Sequence, residues 1–167
     1  MAVEVERKFL LKNDDWRALA REKLPMRQGY LNDEVGCSIR VRTAGDQAWL
    51  NIKSVTIGAR RLEYEYEIPL ADGEDLLDSL ARKPLIEKVR HFVDFAGHLW
   101  EIDEFAGDNA GLIVAEIELD HPDASYERPD WVGEEVTDDI RYYNTSLSKT
   151  PYKDWHANPS SDRDTQD

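Results

Sequence analysis

What the chain lacks narrows it before any motif is considered. It has a single cysteine, Cys37, so no internal disulfide can hold it together, and no grouping of cysteine and histidine has the spacing of a structural zinc site. Its four histidines, at 91, 98, 121 and 156, are scattered. Positive charge is scarce: 21 lysines and arginines face 35 aspartates and glutamates, for a formal net charge of -14. So acidic a chain is a poor ligand for nucleic acid or anionic membrane, and any polyanion it binds must find a local basic pocket. No apolar run is long enough to span a bilayer, and the first residues lack the basic segment, apolar stretch and cleavage site of a signal peptide. A soluble cytoplasmic protein is expected, with neither a nucleic-acid nor a membrane partner. Neither the P-loop word nor the GxGxxG word is present, so a phosphate site would have to be built from side chains.

What is present is alternation. At 167 residues the chain suits one domain. Val3 to Leu10 puts Glu4, Glu6 and Lys8 on one face of an extended strand and Val3, Val5 and Phe9 on the other. The same pattern returns in segments 26–32, 37–43, 48–54, 61–68, 87–95, 99–105 and 112–120. That makes eight strands. Three helices interrupt or follow them. One is a short surface helix after Asn13, carrying Trp16, Leu19, Ala20 and Leu24 and stopped by Pro25. A second opens at Asp72 and buries Leu76, Leu77, Leu80 and Ala81. A third is capped by Thr137 or Asp138 and carries Ile140, Tyr143 and Leu147. Residues 157–167 are polar, without an apolar anchor, and are expected to be a disordered tail. The domain is assigned to residues 1–156.

The charged face of these strands collects eight acids, Glu4, Glu6, Glu63, Glu65, Glu101, Asp103, Glu116 and Glu118, and six bases, Lys8, Arg40, Arg42, Lys53, Lys88 and Arg90. If helices cover the apolar face, these groups point into the lumen of a barrel. Burying so many ions dry costs several kcal/mol each before pairing, roughly, so the lumen must hold water, metal or a ligand. A barrel stapled by internal salt bridges is the competing reading, and it is disfavoured because such pairs stabilise little when wet and cost much when dry. A polyphosphate with a divalent cation satisfies both signs: Arg and Lys take phosphate oxygens, and carboxylates take the hard ion. The five tryptophans are read as core or rim aromatics, and Tyr30 as a residue that could line the lumen.

The ordered set resembles the CYTH superfamily, the triphosphate tunnel metalloenzymes, from Ala2 to Trp155. Glu4-x-Glu6-x-Lys8 looks like its ExExK signature. It is followed in order by Arg40 and Arg42, Lys53, Glu63 and Glu65, Lys88 and Arg90, Asp103, and Glu116 and Glu118. Within the superfamily, the words at Arg27–Leu31, Gly133–Thr137 and Arg141–Asn144 look most like the short bacterial members that hydrolyse inorganic triphosphate. The resemblance implies an α+β fold, an eight-stranded antiparallel closed tunnel with a charged lumen, outer helices and a C-terminal helix near one mouth. It further implies hydrolysis of a linear triphosphate with Mg²⁺ or Mn²⁺. Arg40, Arg42, Lys53, Lys88, Arg90 and Tyr30 are its expected substrate residues, and Glu4, Glu6, Glu63, Glu65, Asp103, Glu116 and Glu118 its metal ligands. Lys8, Glu4 and Glu6 are expected at the chemistry, Lys8 either orienting water or tying the two glutamates together. A class IV adenylyl cyclase or a thiamine triphosphatase would use the same tunnel. A non-catalytic polyphosphate-binding module is the reading from another class. The protein is expected to be a monomer or homodimer.

Overall fold

A computed structural model describes residues 3–32, 34, 36–55 and 59–155. The proposed tail, 157–167, lies outside the described residues, as does residue 156. Nine strands alternate with short helices: β1 Val3–Leu11, β2 Glu22–Tyr30, β3 Cys37–Ala44, β4 Gln47–Ser54, β5 Arg60–Ile68, β6 Ile86–Phe95, β7 His98–Phe105, β8 Ile113–Glu118 and β9 Val132–Glu135. Helix α1 spans Leu70–Ser79, α2 Asn144–Lys149 and α3 Tyr152–Trp155. The sheet runs β5-β4-β3-β2-β6-β7-β8-β1 and closes through β5–β1, every pairing antiparallel. Eight strands therefore form the closed barrel. The ninth, β9, pairs with the later half of β1, on the edge that β5 leaves.

Cross-strand partners share a face, so the register decides what points inward. Glu4 lies opposite Arg61, Lys53 opposite Glu63, Arg40 opposite Asn51 and Arg42 opposite Gln28. Arg90 faces Asp103, Glu101 faces Glu116, Lys8 faces Glu116 and Glu6 faces Glu118. The alternating charges thus form one continuous inner surface. Toward one end this inner row turns apolar: Tyr30, Ile86, Phe105, Leu112 and Val114 cluster with Leu147 of α2 and fill the β6–β8 side of that mouth.

The main core is outside the barrel. Val5, Phe9, Val93, Trp100, Ile102, Ala115 and Ile117 project from β1, β6, β7 and β8 and are covered by Trp16, Trp131 and Leu119. Helix α1 covers β3 and β4 through Leu77, which packs with Ala81, just beyond the helix, against Val41. It lies so close that a Cβ on Gly73 would meet the Ala48 Cβ at 2.5 Å. Along the outer face of β5 only Ile68 joins the cluster of Val41, Leu77 and Ala81, and Leu62, Tyr64 and Tyr66 remain exposed among the described residues.

Four local expectations are corrected. The helix placed on residues 16–24 is only a 3-10 turn, Asp15–Leu19, because Glu22 to Pro25 are drawn into pairing with β6. Pro25 is tolerated there since β3 pairs with β2 only from Met26 onward, leaving that edge free. Leu80, expected in the buried stripe of α1, lies beyond its end and is exposed. The C-terminal helix is broken into a 3-10 turn at Ile140–Tyr142, α2 and α3, with Ile140 exposed. Thr137 does not cap it: its hydroxyl accepts from the Lys8 backbone N–H at 3.0 Å.

Candidate active site

Because β8, β1 and β5 are neighbours, the barrel's inner surface is two-sided. That arc carries Glu4, Glu6, Glu63, Glu65, Glu116 and Glu118 against only Lys8 and Arg61. The facing arc, β4, β3, β2 and β6, carries Lys53, Arg40, Arg42, Lys88 and Arg90, and no acid from these strands lines the cavity between the arcs. Between them lies a cavity of about 360 Å³ lined by Glu4, Glu6, Arg40, Arg42, Lys53, Arg61, Glu63, Glu65, Arg90, Glu101, Glu116, Glu118 and Asn144. A small adjoining chamber of about 30 Å³, room for about one water, is lined in part by Lys8, Tyr30, Thr137 and Tyr143.

On the acidic arc the carboxylates divide by their partners. Glu4 accepts from Arg61 Nε at 2.8 Å and from Lys53 Nζ at 3.2 Å. Burial pushes its carboxyl up, but Lys53 and Arg61 outweigh that and hold it down to about 2. Glu6, also pushed up by burial, is held to about 2 chiefly by Lys8. Lys8 bridges Glu6 at 3.1 Å and Glu116 at 3.2 Å. Burial disfavours its charge, yet Glu116 and Glu6 raise it above the usual lysine range, so Lys8 stays an ammonium and is no base. Glu118 has no cation of its own among the described residues. Burial, then Glu4, Glu63, Glu6 and Glu101, push it up to about 7.

The basic arc holds the complementary imbalance. Arg40 is 3% exposed, forms no ion pair among the described residues, and its buried Nε has no hydrogen-bond partner. Arg42 likewise pairs with no carboxylate there; its Nε donates to the Gln28 carbonyl at 3.0 Å. Burial, then Arg40 and Arg90, bring Arg42 down to about 9. Two confined guanidiniums without counter-ions are a site for an anion.

Lys88 and Asp103 take other places than expected, lining neither chamber. Asp103 is 0% exposed and both its oxygens are taken, one by Arg90 Nε at 2.8 Å, the other by Lys88 Nζ at 2.7 Å and Arg90 Nη2 at 2.9 Å. Burial alone would raise it, but Arg90 and Lys88 hold it far below the carboxylate range. Asp103 therefore braces the cations from behind, with both of its oxygens engaged. Lys88 is brought down to about 7 by burial, with Arg90 and Arg42 adding to it against Asp103. Glu101 contacts Arg90 at 3.3 Å and lines the cavity, and Glu65 accepts from Asn51 at 2.6 Å.

Arg61, Gln28, Asn51 and Asn144 are lumen residues that the charge pattern left out. Arg61 was legible, since it alternates in phase with Glu63 and Glu65. Gln28 and Asn51 are neutral, so a census of charge passes over them, and Asn144 arrives from a helix.

A closed antiparallel barrel whose acids and bases face each other across a lumen of about 360 Å³ defines a charged β-tunnel protein. Residues 2–151 match the CYTH domain, and the chain belongs to that family. It is 46% identical over 155 residues to a protein of Acetivibrio thermocellus named inorganic triphosphatase, covering 93% of this chain and 99% of that one. An inorganic triphosphatase of Nitrosomonas europaea is 36% identical over 149 residues, covering 87% and 96%. Among solved structures, the crystal structure of an inorganic triphosphatase aligns with TM-score 0.63 at 34% identity, covering 89% of this chain and 95% of the other. A putative adenylyl cyclase from Hippeastrum, with TM-score 0.55 at 14% identity and coverage of 73% and 81%, shares the fold alone.

Proposed function

We propose that this protein hydrolyses a linear triphosphate, converting inorganic tripolyphosphate to pyrophosphate and phosphate in the cytoplasm. The observation that carries this reading is the pair Arg40 and Arg42, set in a cavity without counter-ions among the described residues and opposite a wall of carboxylates. The names borne by the relatives agree with it. Arg40, Arg42, Lys53 and Arg90 would grip the phosphate chain, with Lys88 supporting them from behind.

A divalent ion fits the acidic arc by donor chemistry, since every candidate ligand there is a hard carboxylate oxygen and Glu118 is left without a cation. Among the described residues no three such side chains stand close enough to hold a metal as they are, because Glu4, Glu6 and Glu116 are each drawn onto a lysine or arginine. Glu4, Glu6, Glu116 and Glu118, with Glu63 and Glu65 beside them, would hold Mg²⁺ or Mn²⁺. When bound, the ion would neutralise phosphate charge and acidify a coordinated water. The protein's own part is placement. Water would add to the terminal phosphorus as the bridging P–O bond breaks, giving orthophosphate and pyrophosphate with the water's proton passing to bulk solvent, while the arginines meet the charge spread over the equatorial oxygens. Lys8, always protonated, fixes Glu6 and Glu116.

Incubating the protein with tripolyphosphate and Mg²⁺ or Mn²⁺ should release phosphate, and less from ATP or thiamine triphosphate. No release under either ion would sink the hydrolase reading. Cyclic AMP formed from ATP would reassign the reaction.

A further inference from the structure

We propose that Gln28 and Asn144 form an amide clasp that positions the cationic wall, and that the Asn144 Nδ2 group donates to a phosphate oxygen of the bound chain. The proposal rests on reading the cavity as a triphosphate site. Gln28 is fully buried and points inward from β2 between Arg42 and Ile86. Its Oε1 accepts from Arg42 Nε at 3.0 Å, and its Nε2 donates to Asn144 Oδ1 at 3.0 Å. Lys88 Nζ donates to the same Asn144 oxygen at 3.4 Å. One amide pair thus links β2, β3, β6 and the first residue of α2.

The choice of an amide has a physical reason. Arg42 needs an acceptor to set the plane of its guanidinium, but a carboxylate at that point would pair with it and cancel the charge that an anion needs. The neutral carbonyl of Gln28 orients Arg42 and leaves its charge unspent. The Asn144 oxygen is fixed by two donors, which settles the orientation of its amide. Its Nδ2 is the group left for the cavity, and Asn144 lines both the cavity and the small chamber. Asn144 is a binding residue, and Gln28, which acts through Arg42 and Asn144, is a positioning residue.

The test compares Gln28→Glu, Gln28→Leu and Asn144→Ala in the full chain. Binding of tripolyphosphate is measured by titration calorimetry without metal, alongside kcat, KM and melting temperature. Gln28→Leu and Asn144→Ala should each weaken binding about tenfold and raise KM in step, with kcat changed much less, the pattern of a lost ground-state contact. The double variant should bind little worse than either single, because the two groups act as a unit. Gln28→Glu separates positioning from packing. It keeps the shape and an acceptor for Arg42, so a packing role predicts normal binding, whereas neutralised Arg42 predicts binding at least tenfold weaker in a folded protein. If Gln28→Leu does not fold, Gln28→Glu and Asn144→Ala decide. Wild-type affinity in both overturns the clasp. Wild-type protein that binds tripolyphosphate but releases no phosphate ends the hydrolase reading and leaves the clasp to be judged on affinity. Wild-type protein that does not bind it at all overturns both.

Discussion

Replacing Arg40 by methionine should make the ligand-free protein more stable and the enzyme worse. Arg40 is 3% exposed, its Nε has no partner, and Arg42 and Arg90 share its confined space. Replacing a buried ion pair by apolar side chains of similar volume is neutral or gains about 1–4 kcal/mol. Arg40 lacks even a paired carboxylate among the described residues, and methionine keeps the unbranched stem. The cavity is wet enough to screen part of the penalty, so the lower half of that range, about 1–2 kcal/mol, is the appropriate expectation. For a domain of this size that is a rise of roughly 2–8 °C in melting temperature. Binding should move the other way, since losing charged hydrogen bonds worth about 1.5–3 kcal/mol weakens affinity about 10- to 150-fold. Thermal melts without ligand, then KM for tripolyphosphate with metal present, read the two effects separately. A melting temperature lowered by several degrees would mean that Arg40 staples the barrel together, and the claim that its charge is held in reserve for an anion would be wrong.

Two further outcomes follow from the same imbalance. Glu118→Gln removes from an acidic wall a carboxylate that pairs with no cation among the described residues, so it should leave the melting temperature unchanged or higher, yet cut kcat about a hundredfold or more at moderate metal concentration; full kcat would free Glu118 of any metal role. Lys88 titrates near 7 and lies behind the anion wall, so bound tripolyphosphate should favour its charged form. The sign is uptake: metal-free binding at about pH 8 should take up protons, less so at about pH 6. Calorimetry in buffers of different ionisation enthalpy measures it, and release of protons at pH 8 would refute the assignment.

Strand alternation made the barrel and its charged lining legible, because a period of two needs no long-range information. Glu63 and Glu65, or Arg40 and Arg42, declare a shared face on sight. Which end of the barrel is plugged was not legible, since Ile86, Phe105 and Val114 look like ordinary strand residues until the register puts them on the same inner row. Asp103 was misplaced for a related reason: spacing shows that it faces inward, but only the register with Arg90 shows that two cations have already claimed it. β9 was missed because four residues carry too little pattern to stand out from a loop.

The closure of the barrel by β1 has a consequence for how the protein comes into being. Glu4, Glu6 and Lys8 ride on the seam, on a strand paired on one side with β5 and on the other with β8, and β1 and β8 are the first and last strands of the barrel. A ribosome makes β1 long before β8 exists, so β1 can pair early with β5 but lacks its second partner until the barrel is nearly complete. Non-local pairing of this kind is slow. Until β8 docks, the acidic wall lacks Glu116 and Glu118 and the barrel stays open along one edge of β1. A nascent chain or a stalled fragment could then own every arginine of the anion grip and still have no place for a metal, so activity should switch on only at the last stitch.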